Sequence, residues 1–525
     1  MSSANPDQAQ APFTSIPDSI RTVARRMPER LALLCGERSA TWRELDSAVD
    51  RTAHHLAGLG VGKGDKVALL GVNSIEYLSA FLGALRAGAV VVPLSTMAAA
   101  DALHRMIEDA DTKAIFLSEH YYPSIAPIER ELRGLVRGGK IALDFERDGW
   151  SAYAAALGTA PARPFEMPIE PNDEFNIIYS SGTTGLPKGI VHVHSMRSAL
   201  AQRFAALGFT ADSVSLVSTP MYGNFTLAGM LPTLAVGGMV ILMQKFDALG
   251  FLELAQRHRV THAMLVPVQY QRMLALPEFD RYDLSSFVTK FIASAPSAVS
   301  LKRAVLERWP GRLIELYGLT EGGPGTLLDA TAFPDKLHAV GRAGLATTLK
   351  VLGPDDCELP AGEIGEVVGR SPLMMMKGYY KQPEKTREMI WVDAAGEVYY
   401  RSGDFGRIDE DGFLVLLDRK KDMIISGGFN VYASDVEAVL SQHPDVSEVA
   451  VIGVPSEAWG ETPLALVVPR AGSDCSEQTL LAWANERLSK TARLSAVEFR
   501  GELPRSTLGK ILKRELRAPY WNARS

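Results

Sequence analysis

Tyr179-Ser180-Ser181-Gly182-Thr183-Thr184-Gly185-Leu186-Pro187-Lys188-Gly189 decides how the rest of this 525-residue chain is read. The apolar run at 176–179 predicts a strand, and a helix is expected near Ser195. Positions 180–185 are all hydroxyl or glycine residues, and no core-packing demand explains such a run. Glycines let the backbone turn tightly and aim successive N–H groups at an anion. The hydroxyls and Lys188 add donors. A plain Ser/Gly surface loop is the alternative, but here a strand flanks the loop and a lysine closes it. A P-loop needs Gly-Lys followed by Ser or Thr, whereas Lys188 stands between Pro187 and Gly189. The segment also lacks a Rossmann G-x-G-x-x-G. A strand opening into an anion-binding loop points to an α/β fold.

The same rhythm runs outward from this loop. Residues 41–59 predict a helix, with Thr41 as cap, Glu44 in a capping-box position, and Leu45, Val49, Ala53 and Leu56 as the apolar stripe. A glycine-rich turn, a strand at 66–70, a helix at 75–87 and a strand at 89–94 follow. Further on come strands at 239–243 and 262–266 around a helix at 251–258. Parallel α/β layering with right-handed crossovers is expected. From about 340 to 418 the texture changes to short runs (349–352, 365–368, 413–417) between turns, a compact β subdomain. Beyond Arg419-Lys420-Lys421-Asp422 lie about 100 residues with their own pattern. A helix is expected from Ser434, with Glu437 completing a capping box, then strands at 448–454 and 464–468 and a helix near 480–489. The expected division is a disordered 1–15, a large N-terminal domain at 16–420, and a small mobile α+β domain at 421–525. The large domain would hold two α/β layers plus the β subdomain.

Composition narrows the function classes. Hydrophobic residues make up 46% and charged residues 22%, as in soluble globular proteins. Fifty-five basic against 61 acidic residues give a net charge of −6, which argues against a nucleic-acid face. The three cysteines, Cys35, Cys357 and Cys475, are odd in number and far apart, which fits a reducing compartment. The N-terminus lacks a basic start and an apolar run, and no stretch approaches a membrane span of roughly 18 apolar residues. A cytoplasmic chain without nucleic-acid partner or transmembrane segment is expected.

Four further motifs follow in order: Tyr317-Gly318-Leu319-Thr320-Glu321, Arg401-Ser402-Gly403-Asp404, Asp418-Arg419-Lys420-Lys421-Asp422, and Pro504-Arg505-Ser506-Thr507-Leu508-Gly509-Lys510. Together with the 179–189 loop they resemble the adenylate-forming superfamily of acyl- and aryl-CoA ligases, peptide-synthetase adenylation domains and firefly luciferase. The resemblance covers about residues 41 to 514. It implies that Ser180, Ser181, Gly182, Thr183, Thr184, Gly185 and Lys188 hold phosphates, and that Ala295, Tyr317 and Gly318 take the nucleotide base. Thr320 would contact phosphate and Glu321 would bind Mg²⁺, with Thr184 a second candidate contact. Asp404 would accept from the ribose hydroxyls, Arg419 would touch ribose or phosphate, and Lys421 would be the hinge. Lys510 would reach the site during adenylation, so Lys510, Thr320 and Glu321 form the catalytic set. The chemistry agrees. An aromatic face suits a purine, a carboxylate is a hard ligand for a Mg²⁺ shared with phosphates, and an acceptor-only group suits a diol.

The resemblance implies attack of a carboxylic acid on the α-phosphate of ATP, giving an acyl-adenylate and pyrophosphate. The thiol of CoA then displaces AMP. Gly427 and Gly428 would let the pantetheine arm pass, after the C-terminal domain turns about its hinge. The acyl pocket would draw on Tyr222, Gly223, Phe225, Val268, Ala293 and Gly322, with Tyr270 adding aromatic surface. These are small, apolar or aromatic, so an aromatic or arylpropenoic acid is favoured over a medium-chain or alicyclic one. Two departures bear on that choice: Gly223 stands where relatives carry His or a bulky aromatic, and Ala293-Ser294-Ala295-Pro296 replaces a double-glycine form. A stand-alone enzyme loading a carrier protein is the other reading, and a homodimer is the candidate assembly.

Overall fold

The computed structural model describes residues 13–180, 188–344, 346–419, 422–426, 429–506 and 509–522. Thr41 begins the local logic. Its Oγ1 accepts the Glu44 N–H at 3.2 Å, and its own N–H donates to Glu44 Oε2 at 2.8 Å. This reciprocal box starts the helix Trp42–Gly58, whose Leu45, Val49, Ala53 and Leu56 are buried. Ser74 caps the next helix, Ile75–Arg86, by accepting from the Tyr77 N–H.

Two large sheets flank these helices. The eight-stranded sheet has a parallel centre of Val90–Pro93, Lys66–Leu70, Thr112–Leu117 and Lys140–Ala142, with Glu174–Ser180 alongside Val90–Pro93. The nine-stranded sheet has a parallel centre running Arg312–Gly318, Thr289–Ile292, His262–Leu265, Val214–Val217, Met239–Leu242 and Leu31–Cys35. Strands buried on both faces read as continuous apolar runs, which is why those at 66–70, 90–93, 239–242 and 262–265 were legible. The edges depart from the expected parallel layering. Lys188–Val193 returns antiparallel on Glu174–Ser180, so a strand stands between the 180–188 loop and the helix His194–Ala205. Between the sheets, Leu45, Val49, Phe81 and Leu85 pack against Met230, Leu231 and Leu234 of the helix Asn224–Val236. That helix carries apolar residues all round, as a helix between two layers must.

A five-stranded antiparallel sheet covers the expected β subdomain: Thr348–Leu352, Gly365–Arg370, Val398–Ile408 and Ile390–Val392, with Leu414–Arg419 paired to Val398–Ile408. A second five-stranded sheet follows residue 423, with Val446–Ser456 and Gly460–Pro469 as its long hairpin. Helices Ala433–Leu440 and Lys513–Asn522 pack against it.

One sequence expectation fails here. The helix starts at Ala433, and neither Ser434 nor Glu437 forms a capping box. Ser434 Oγ donates instead to the Leu417 carbonyl. Glu437 accepts the Val451 N–H at 2.7 Å and pairs with Lys513 Nζ at 2.8 Å. Tertiary partners with charge-assisted bonds outcompete the local cap. Burial raises the Glu437 carboxyl above its ordinary range, against the pull of Lys513. Glu437→Ala is expected to lower stability by about 2 kcal/mol, because Lys513 and the Val451 N–H lose their acceptor. Urea unfolding would check this. An unchanged midpoint would mean the pair holds nothing. No helix among the described residues is long and apolar enough to cross a membrane.

Candidate active site

The hairpin register places Ser180 directly opposite Lys188, so the two ends of the phosphate-type loop face each other. Ser181, Gly182, Thr183, Thr184 and Gly185 lie outside the described residues. Lys188 Nζ lies 4.8 Å over the ring of Tyr379. Tyr379 belongs to the short strand Gly378–Tyr379, which adds to the sheet edge beside Lys188–Val193. Backbone bonds bind the segment there: Tyr380 N–H to the Gly189 carbonyl at 2.7 Å and Lys377 N–H to the Val191 carbonyl at 2.8 Å.

The same segment holds Glu321. The Glu321 carbonyl accepts from the Met376 N–H at 2.8 Å, and the Met374 carbonyl accepts from the Gly323 N–H at 3.1 Å. At Gly322 (φ +76°) a Cβ would stand 1.6 Å from the Met374 carbonyl oxygen. Only glycine allows that approach. Glu321 Oε1 accepts from the Tyr379 hydroxyl at 2.8 Å. Burial first, then the Glu321 charge, raises the pKa of that hydroxyl, so it stays a donor. Tyr379 thus stands between Lys188 and Glu321. The sequence reading missed it, because its role comes from strand pairing between residues almost 200 apart. The Gly378-Tyr379-Tyr380 triplet was the only local signal.

Three motifs converge at Asp404. The Tyr317 hydroxyl donates to Asp404 Oδ2 at 2.8 Å, and Arg419 Nε pairs with Asp404 Oδ1 at 3.1 Å. The Asp404 side chain is only 8% exposed. Adjacent strands create the meeting, since Asp404 and Arg419 are register partners. The Asp404 N–H donates to Ser402 Oγ at 2.9 Å, and Ser402 Oγ donates to the Val367 carbonyl at 2.6 Å. Burial, reinforced by Asp404, raises the Tyr317 hydroxyl well above its ordinary value. Each carboxylate oxygen retains a lone-pair direction beyond the bond it accepts here. Gly318 ends the Tyr317 strand, opposite Gly325.

Among the residues expected to line an acyl pocket, Tyr222 and Phe225 are half-buried around Gly223, the N-cap position of the helix Asn224–Val236. Gly223 has φ −78°, so its value there is small size rather than special backbone freedom. Phe225 packs against Phe209, Met264 and Phe291. Ala293 is nearly buried after the strand Thr289–Ile292, and Ala295 follows Ser294. Ser294 takes φ +73°, a left-handed backbone that glycine adopts more readily. Tyr270 does not join this surface. It is fully buried in an aromatic cluster, 5.5 Å from Trp309, and its hydroxyl donates to the Phe291 carbonyl. On the helix Pro267–Leu274, Tyr270 turns into the core while Val268 stays half-buried.

The C-terminal unit meets the large one at that helix. Gly509 is buried with φ +75°, and a Cβ there would lie 3.0 Å from Val268 Cγ1 and 3.5 Å from Val266 Cγ2. The described residues on either side of 507–508 are tied to each other. Arg505 donates to the Gly509 carbonyl at 2.7 Å and pairs with Glu448 at 2.8 Å. Ser506 N–H donates to the Lys510 carbonyl at 2.8 Å. Lys510 therefore follows a glycine seated on Val266 and Val268. Lys421, Gly427 and Gly428 lie outside the described residues. Around the joint, Asp418 Oδ2 accepts the Ala433 N–H at 2.7 Å, and the Asp422 N–H donates to the Arg419 carbonyl at 2.9 Å.

The Glu321 carboxylate, which shares Tyr379 with Lys188, would be the right donor chemistry for a magnesium ion that shares its remaining positions with phosphate and water.

A family model described as AMP-binding enzyme matches residues 20–380, and one for the AMP-binding enzyme C-terminal domain matches residues 435–510. A feruloyl-CoA synthase from Amycolatopsis sp is 34% identical over 500 residues, 95% of this chain and 97% of that protein. A long-chain-fatty-acid–CoA ligase, FadD13, from Mycobacterium tuberculosis is 35% identical over 485 residues, 91% of this chain and 93% of that protein. Among solved structures, an anthranilate CoA ligase, AuaEII, in complex with anthranoyl-AMP superposes with a TM-score of 0.86. It is 25% identical, covering 98% of each chain.

Proposed function

The chain belongs to the AMP-binding enzyme family, and from that premise we propose which acid this AMP-forming carboxylate–CoA ligase activates and which residues do the work. Its substrates are a carboxylic acid, ATP and CoA. The acid is aromatic or arylpropenoic. The observation that carries this reading is the uncharged surface of half-buried Tyr222, Phe225 and Val268 beside the buried Ala293. The names of the feruloyl-CoA synthase and the anthranilate CoA ligase add support, whereas the fatty-acid ligase keeps a medium-chain acid as the second reading. A CoA-dependent AMP-release screen over aromatic, alicyclic and aliphatic acids tests it. Higher kcat/KM for medium-chain acids than for every aromatic acid would overturn the aromatic assignment.

The geometry supports the following mechanism. Asp404 accepts from the ribose hydroxyls while Tyr317 and Arg419 hold its carboxylate in place. Ser180 and Lys188, facing each other across the hairpin, flank the phosphates with donors. Thr320 supplies a further hydroxyl, and Tyr379 steadies Glu321. A magnesium ion, held by Glu321 and the phosphates, would neutralise charge on the leaving pyrophosphate. Lys510 supplies a positive charge where the acid's carboxylate meets the α-phosphate, stabilising the charge that builds during attack. No protein nucleophile is needed, so catalysis is positioning and electrostatics.

The second step needs a different face. Turning the small unit about Lys421 withdraws Gly509 and Lys510 from Val268 and brings the 427–428 region to the acyl carbon, where the CoA thiolate displaces AMP. That turn breaks the Asp418–Ala433 and Ser434–Leu417 bonds across the joint.

Tyr379→Phe removes one charge-assisted bond to Glu321 and leaves the ring under Lys188. We expect kcat for acid-dependent pyrophosphate exchange to fall about tenfold, with KM for the acid unchanged. Exchange kinetics at saturating ATP would check this. An unaltered kcat would remove Tyr379 from the site.

A further inference from the structure

Arg197 lies on the helix His194–Ala205, is 1% exposed, and plays no part in the mechanism above. Its guanidinium meets only neutral acceptors among its described partners. Nε and Nη2 donate to Asn176 Oδ1 at 3.1 and 2.8 Å, Nη2 approaches His192 Nδ1 at 2.7 Å, and Nη1 donates to Asn224 Oδ1 at 2.8 Å. Burial pulls its pKa down to about 9. A buried cation without a carboxylate partner is expensive, so packing alone gives no reason to place one here.

The hydrogen-bond accounting supplies a reason. His192 Nε2 lies 2.7 Å from the Thr320 carbonyl, which can only accept, so Nε2 carries the proton. Nδ1 must then be a lone pair, and it faces donors from Arg197 and from Asn176 Nδ2 at 3.1 Å. Asn176 has one allowed orientation, since its Oδ1 already receives Arg197. Asn176 and His192 are register partners on the phosphate-loop hairpin, so strand pairing fixes both. Arg197 therefore holds His192 in a single tautomer, and His192 holds the carbonyl that joins Thr320 to Glu321. The other arm of the same rigid guanidinium ends on Asn224, the first residue of the helix that leaves Tyr222 and Gly223.

We propose that Arg197 is a positioning residue that couples the acyl pocket to the phosphate and metal end of the site, through the path Asn224–Arg197–His192–Thr320. An acid seated against residues 222–225 fixes Asn224. The guanidinium transmits that position to His192, and His192 sets the Thr320–Glu321 backbone for ATP. By reciprocity, bound ATP tightens the grip on the acid by the same factor. The proposal rests on the assignment of Thr320 and Glu321 to the phosphates.

The test measures the Kd of the preferred acid by calorimetry, with and without saturating Mg²⁺ and a non-hydrolysable ATP analogue, for the full chain. The wild type should bind acid about tenfold tighter when the nucleotide is present, within the usual range of coupled sites. Asn224→Ala and Arg197→Met should bring that ratio close to 1. His192→Gln, which keeps an N–H for the Thr320 carbonyl, should retain more pyrophosphate-exchange kcat than His192→Leu. A merely structural role would lower stability in all four variants and leave the ratio at its wild-type value. Asn224 is only half-buried, so its variant keeps the test available if Arg197→Met does not fold. A wild-type ratio of 1, or an unchanged ratio in Asn224→Ala, overturns the proposal. If no acid supports exchange in the wild type, the ligase reading falls and takes the coupling with it. If exchange proceeds normally and the ratio does not move, only the coupling falls.

Discussion

Replacing Lys510 with alanine lowers acid-dependent pyrophosphate exchange by about 10²–10³-fold, the range seen when one preorganised charge-stabilising donor is removed. Thioester formation from a supplied acyl-adenylate and CoA stays within a few-fold of wild type. The asymmetry comes from where the residue sits. Gly509, one position earlier, is seated against Val266 and Val268, and in the proposed mechanism this is the arrangement that performs adenylation. Thioester formation uses the arrangement in which this loop has left, and there the side chain has no task. Arg505 and Ser506 bond to the Gly509 and Lys510 carbonyls, so truncating the Lys510 side chain leaves these bonds in place. Half-reaction assays on the two steps separate the outcomes. Equal loss of both would mean that Lys510 shapes the site instead of acting in one step.

Asp404→Ala carries the second large effect. It removes the acceptor for the ribose diol and, at the same stroke, the partner of the Tyr317 hydroxyl and the Arg419 guanidinium. The buried Tyr317 hydroxyl then lacks its acceptor, and stability falls by about 1–3 kcal/mol. Binding of ATP weakens by about 10²-fold, since a buried charged acceptor facing two hydroxyls is lost. Asp404→Asn keeps the shape and one acceptor oxygen, so it should recover most of the stability and only part of the affinity. Calorimetric titration with an ATP analogue, beside thermal unfolding, reads both. Unchanged nucleotide affinity in Asp404→Ala would place the ribose elsewhere.

What the sequence revealed depended on how local the cause was. The Thr41–Glu44 box and the strand at Lys66–Leu70 are set by neighbours within a few residues, and the structure reproduces both. Ser434 and Glu437 have the same local signature, yet Leu417, Val451 and Lys513 claim their side chains from other elements. Tyr270 reads as pocket surface only until helix phase turns it onto Trp309. The motif residues Tyr317, Asp404 and Arg419 were recognisable one at a time, while their contact required the strand pairing of Asp404 with Arg419 and the packing of a second sheet that brings the Tyr317 hydroxyl to Asp404. Tyr379 and Arg197 stand in no motif that the sequence reading picked out. Their meaning lies in one hydroxyl reaching Glu321 and one guanidinium reaching His192, which no spacing rule encodes.

The most direct measurement of the central claim is product stoichiometry. The purified chain, with ATP, Mg²⁺, CoA and an aromatic acid, should yield AMP, pyrophosphate and the acyl-CoA thioester in equal amounts, with none formed when the acid is withheld. ADP and phosphate in place of AMP, or AMP release independent of any carboxylic acid, would contradict it.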